Sequence, residues 1–79
     1  MRPPSEDERH LIQQWIDKAE VDFGTIEVLL GETSRPFPGA IAFHAQQCAE
    51  KYLKAFLTRH KVDFPKTHDL KEILKLVAR

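Results

Sequence analysis

The chain has 79 residues, 42% of them hydrophobic and 30% charged, with twelve basic and twelve acidic side chains giving a formal net charge of zero. That length allows one domain, the apolar content excludes a disordered tail, and the charge balance excludes a global field for nucleic acid, so any contact with RNA or DNA needs a local basic patch. One cysteine, Cys48, excludes an internal disulfide and fits a reducing compartment.

No run of about 18 apolar residues offers a membrane span. The start, MRPPSEDERH, has no apolar stretch of the signal-peptide kind. A soluble cytoplasmic protein is therefore expected.

Pro3 and Pro4 keep the first residues extended. Ser5 with Glu8 three residues later is a capping box, and Glu6, Asp7 and Glu8 suit the positive end of a helix. Ile12, Trp15, Ile16, Ala19, Phe23, Ile26 and Leu30 then recur every three or four residues. This rhythm predicts an amphipathic first helix from about Ser5 to Leu30. Gly24 interrupts it as a weak point or as a place for close helix approach. Gly31 is a plausible stop.

Residues 31 to 39, GETSRPFPG, read as a loop long enough for an antiparallel return. Within it Phe37 is expected to fold back onto the core, and Pro38 to open the next helix. The second helix, from about Gly39 to His60, has two regular rows. Ile41, Ala45, Cys48, Ala49, Tyr52 and Phe56 form an apolar stripe, expected in the core. His44, Gln47, Lys51, Lys54 and Thr58 form a polar row, expected to face something polar outside it. Cys48, on the stripe, reads as a small buried hydrophobe rather than a reactive thiol. Asp63, Phe64 and Pro65 make a turn, and Thr67 is expected to cap a third helix, THDLKEILKLVAR. Its stripe is Leu70, Ile73, Leu74 and Val77. The rhythm is unbroken at Arg79, which predicts a C-terminally truncated domain or a helix that docks on a partner. The expected fold class is all-α, an up-and-down antiparallel bundle with three helices in this chain. A core this small is near the limit of self-sufficiency, so a homodimer through helix faces is expected.

The chemistry-bearing residues are few. His10, His44, His60 and His68 lack the spacing of a zinc site, and His44 with Cys48 is only two ligands. No glycine-rich phosphate loop and no nucleophile–base pair can be identified, Ser5 and Ser34 lying in a cap and a loop. No metal or cofactor is called for. His44 and His68 are the catalytic candidates. Asp22, beside the apolar stripe of the first helix, is placed to reach Lys51 across the hairpin. Two readings stay open: a salt bridge between these two, with His44 on the surface and His68 supporting the turn, or a cluster of His, Gln, Lys and Asp around an anionic ligand.

Three blocks carry a resemblance. WIDKAEVDF at Trp15 to Phe23, FHAQQCAEKYLKAFL at Phe43 to Leu57, and THDL at Thr67 to Leu70 together resemble the HEPN domain family, over about residues 10 to 79. The resemblance implies a bundle of four or five helices, often dimeric, and frequently a minimal nucleotidyltransferase partner in a toxin–antitoxin-like pair. Other members are RNases, and some were proposed to bind nucleotides. On that basis Asp22, His44, Gln47, Glu50, Lys51 and His68 match positions where the family is polar and are the expected ligand-binding set. The family's RNase motif is an Arg followed after four to six residues by a His. Here Arg35 to His44 and Arg59 to His68 each leave eight residues between, and Arg2 to His10 leaves seven. The helices that usually follow THDL and often carry the motif lie outside this sequence. Three functions follow: a nucleotide- or RNA-associated module working with a nucleotidyltransferase, a metal-independent RNase whose Arg-His motif is not in this chain, or a structural helical interaction module without catalysis.

Overall fold

A computed structural model describes residues 2–32 and 37–78. Those residues are all-helical, with three helices and no strand: α1, Glu6–Gly31; α2, Pro38–Arg59; α3, Leu70–Val77. The expectations for Ser34, Arg35 and Pro36 in the loop, and for Met1 and Arg79 at the ends, lie outside the described residues.

The capping box forms as read. Glu8 donates its backbone N–H to Ser5 Oγ at 3.1 Å, and the Ser5 N–H donates to Glu8 Oε1 at 2.9 Å. Two of the four unpaired donors at the start of α1 are thereby accounted for. The helix ends at Gly31, with Glu32 as an extended C-cap. Pro38 takes the first turn of α2, where its missing N–H costs nothing. The start of α3 differs from expectation. Asp69, not Thr67, is the N-cap, its side chain accepting from the Lys71 N–H at 2.9 Å, while Thr67 Oγ1 accepts from the Asp69 N–H at 3.0 Å. Asp69 immediately precedes Leu70, so its carboxylate reaches the second N–H of the helix, and Thr67, two residues earlier, braces the turn before it.

α1 and α2 are antiparallel. Glu8 at the start of α1 meets Lys61 just past the end of α2, Trp15 meets Lys54, and Asp22 meets Lys51 and His44. α3 packs on α2. The return between them is a Schellman ending: the Val62 N–H donates to Leu57 O at 2.9 Å and the Lys61 N–H to Thr58 O at 3.1 Å. That geometry needs a left-handed residue at Lys61, whose φ is 58°. A side chain other than glycine there costs about 1 kcal/mol. Lys61 offsets it by pairing both oxygens of Glu8 at 2.6 and 2.8 Å.

The packing reverses the expected faces of α2. The apolar residues buried are Ala19, Cys48, Ala55, Leu57 and Ile73, and beside them Asp22, Glu50, Lys54 and Thr58 are buried too. Thus the polar row forms the seam with α1: Lys54 and Thr58 are buried, and His44, Gln47 and Lys51 half-buried. Of the expected core stripe only Cys48 is buried and Ile41 half-buried, while Ala45, Ala49, Tyr52 and Phe56 are exposed. The reason is Asp22. A carboxylate on the inner face of α1 requires cations opposite, and only the polar row supplies them. Rotating α2 to satisfy Asp22 turns Tyr52 and Phe56 outward.

Phe23 and Leu30 of α1 and Leu74 of α3 are exposed as well, against expectation. Phe37 is also exposed, at the N-cap position of α2, rather than folded onto the core. Gly24 does not serve a close approach, since a Cβ placed there would meet nothing within 4 Å.

Candidate functional site

Two carboxylates organise the seam, each holding one lysine and one histidine. Asp22, in the middle of α1, accepts from Lys51 Nζ and lies 2.9 Å from His44 Nδ1. His44 and Lys51 stand two turns apart on α2, so one carboxylate inserted between them from α1 reaches both. Burial alone pushes the Asp22 carboxyl up, but the hydrogen bonds from Lys51 and His44 and their charges outweigh it and hold the group below its ordinary 3.8. An ionised carboxylate only accepts, so the proton on His44 lies on Nδ1. Its Nε2 is left for another partner on the half-exposed side of the ring.

Glu50 is the second centre, 1% exposed. Its Oε1 accepts from Lys54 Nζ at 3.0 Å and lies 2.7 Å from His68 Nδ1. Lys54 is itself buried, donates to the carbonyl of Thr67 at 2.7 Å, and lies 5.0 Å over the Trp15 ring. Thr58 turns its hydroxyl back onto the carbonyl of Lys54 at 2.8 Å, satisfying a buried donor. The segment before α3 is therefore tied to α2 through Thr67 and His68. His68 is mostly exposed, touching Glu50 only by its Nδ1 edge. Two buried polar atoms among the described residues have no partner: Glu50 Oε2 and Trp15 Nε1.

Of the expected set, Asp22, His44 and Lys51 come together, and Glu50 and His68 come together around a different carboxylate. Gln47 is half-buried on α2, one turn from both His44 and Lys51. Sequence reasoning left out Lys54, Trp15 and Thr67. Lys54 was findable: it lies four residues after Glu50, the spacing of a helical ion pair. No spacing rule joins Trp15 or Thr67 to Glu50, because they arrive from other elements.

Cys48 is buried beside this cluster. Desolvation and the nearby Asp22 charge push its thiol up, with Lys51 opposing, which leaves a poor nucleophile. Among the described residues no three His, Cys, Asp or Glu side chains group as a metal site would require. No helix among them is long and apolar enough to cross a membrane.

Beside the Glu50 centre lies a cavity of about 310 Å³ lined by Trp15, Lys54, Phe64, Lys66, Thr67 and His68. Its two rings meet edge to face, with centroids 6.1 Å apart and planes at 62°.

Comparison with known proteins supplies one match. The family model described as HEPN domain matches residues 12–79. No curated protein and no solved structure matches the chain. The family match begins in α1 and runs through the Asp22 and Glu50 centres to the end of the sequence, and on it the chain belongs to the HEPN domain family.

Proposed function

We propose that this chain is a nucleotide- or RNA-associated HEPN module, cytoplasmic and dimeric, that acts with a minimal nucleotidyltransferase as a toxin–antitoxin-like pair. The observation that carries the ligand half of this reading is the pairing of two imidazoles, His44 and His68, each with a buried carboxylate. Asp22 engages His44 Nδ1 and Glu50 engages His68 Nδ1, so both rings have Nε2 left for an outside group. With Lys51 on the same carboxylate as His44, the seam sets an ammonium beside an imidazole whose Nε2 donates to a phosphate oxygen when the ring carries a second proton. Titration with ATP or GTP, followed by calorimetry, tests it: Lys51→Ala should abolish the heat of binding. Binding unchanged in that variant rejects the site. A nucleotidyltransferase gene beside this one would support the partner half, and co-purification of the two products would test it.

The dimer reading rests on the exposed stripe. Ala45, Ala49, Tyr52 and Phe56 share one side of α2, with Phe23 and Leu30 seven residues apart on α1, and a monomer has no use for so many exposed rings. Tyr52→Glu should shift the sedimentation coefficient to that of the monomer if this stripe is the interface.

A second reading, metal-independent RNA cleavage, is favoured by the same two imidazoles. Cleavage of that type uses one neutral ring as base and one charged ring as acid, with a cation against the developing charge. Replacement of both His44 and His68 by Ala would abolish such an activity and leave self-association intact. A purely structural interaction module, the third reading, predicts that no nucleotide changes the melting temperature.

A further inference from the structure

We propose that the cavity between Trp15 and Phe64 is a binding site for a planar aromatic or heteroaromatic ring that carries an anionic group. It extends the reading above by giving a nucleotide's ring a seat, and rests on that reading only where the ligand is a nucleotide.

The walls select the ring. Trp15 and Phe64 stand at 62° to each other and form a corner, so a flat guest lies against one face and abuts the other's edge. The Trp15 Nε1–H is buried without a protein partner, and Lys18 and Lys54 each set an ammonium 5.0 Å from the ring centroid. The volume, about 310 Å³, is at the low end for ligand sites. That is room for a bicyclic ring with space to spare, and the lining residues decide where a charged portion would sit.

The mouth selects the charge. Lys54, Lys66 and His68 line the cavity and no lining residue is acidic. Lys54 is committed to Glu50 and to the carbonyl of Thr67 and polarises the interior. Lys66 and His68 are exposed while still lining the cavity, which places their polar ends where it meets solvent. Glu50, behind the lining, uses Oε1 to hold Lys54 and His68, and its Oε2 is buried without a partner. The opening therefore favours an anion, with Lys66 as a free-standing point charge and His68 as an oriented ring.

The chain has one tryptophan, and it is the cavity wall, so its fluorescence reports occupancy directly. The whole chain is titrated with AMP and with nicotinate, two sources of a ring bearing an anion. Adenosine supplies the ring alone and ribose 5-phosphate the anion alone. Expected are saturable quenching by AMP, nicotinate or both, weaker binding of adenosine, and no quenching by ribose 5-phosphate. AMP alone identifies a nucleotide as the source, and both together identify the general chemistry. Phe64→Leu, which keeps apolar volume and removes the ring, should weaken AMP or nicotinate by roughly tenfold. Lys66→Gln should bring their affinities down to that of adenosine. Ribose 5-phosphate binding as well as AMP, or Phe64→Leu binding unchanged, overturns the proposal. Loss of AMP binding in Lys51→Ala with Phe64→Leu unaffected overturns it while leaving the seam reading intact. The opposite pattern supports the ring seat and rejects the seam.

Discussion

His44 Nδ1 lies 2.9 Å from Asp22 Oδ1, a contact between the middle of α1 and the first half of α2 that fixes which side of α2 faces inward. The same carboxylate accepts from Lys51 two turns further on. Stability should therefore depend on the ionisation of Asp22. Its folded-state carboxyl is held below the ordinary 3.8, so its contribution is fully present above that value and is lost as pH falls through the folded value. Asp22→Asn should lower stability at neutral pH by about 2 kcal/mol, because it leaves the half-buried Lys51 ammonium without its counter-charge and weakens the acceptor facing His44. It should also flatten the acid limb below pH 3.8. Urea midpoints measured across the acid range check both, and an acid limb as steep as the parent's would contradict the assignment.

The inverted faces of α2 make neighbouring residues behave oppositely. Leu57 is 1% exposed and Phe56 46%. Leu57→Ala should cost about 2–5 kcal/mol, by lost burial and the cavity left behind. Phe56→Ala, though it removes a larger side chain, should cost under about 1 kcal/mol at concentrations where the chain is monomeric. Denaturant melts at low micromolar concentration distinguish the two, and the reverse order would restore the apolar stripe to the core.

Glu8 gives a second pH-dependent link. The hydrogen bond from Lys61, with the Ser5 cap, draws its pKa from 4.5 down to about 2. The sign follows from a lowered folded value: the contribution is complete above 4.5 and disappears as pH falls toward 2. Glu8→Gln keeps an oxygen for the Ser5 N–H but loses the charge opposite Lys61. Its stability should match the parent near pH 2 and fall below it above 4.5, by less in high salt because the pair is solvent-accessible. A constant difference at all pH values would count against the ion pair.

Gly24 sits inside α1 with open space where a Cβ would go. Gly24→Ala should stabilise the chain by about 0.5–1 kcal/mol, by restricting the unfolded chain and favouring the helix. Thermal melts should show a rise of a few degrees, and a fall would reveal a neighbour at that position that the fold does not place there.

The helix limits were legible because local chemistry sets them. Ser5 with Glu8, Pro38 and Gly31 mark ends that depend on backbone groups within a turn. The rotation of α2 was not legible by counting apolar residues, because that rule assumes that the more hydrophobic side is the buried one. It fails where a charge is buried opposite. The sign of the exception was nonetheless present in Asp22, a carboxylate next to Ala19, Phe23 and Ile26, and in a polar row that carries His44 and Lys51 seven residues apart. Expecting Asp22 to reach Lys51 was compatible only with the polar row inside, so the two expectations were in conflict. The Glu50 centre depends on the turn at Phe64 and Pro65 bringing Thr67 and His68 back to α2. That arrangement is tertiary, and spacing along one helix cannot express it.

The organisation of the whole seam around Asp22 is tested most directly by a double-mutant cycle. Asp22→Asn and Lys51→Met are made singly and together, and unfolding free energies are measured in urea at neutral pH. The account predicts that the double variant is more stable than the sum of the single losses implies, by about 1 kcal/mol or more, since each single change strands a partner. Losses that add within about 0.5 kcal/mol would contradict it.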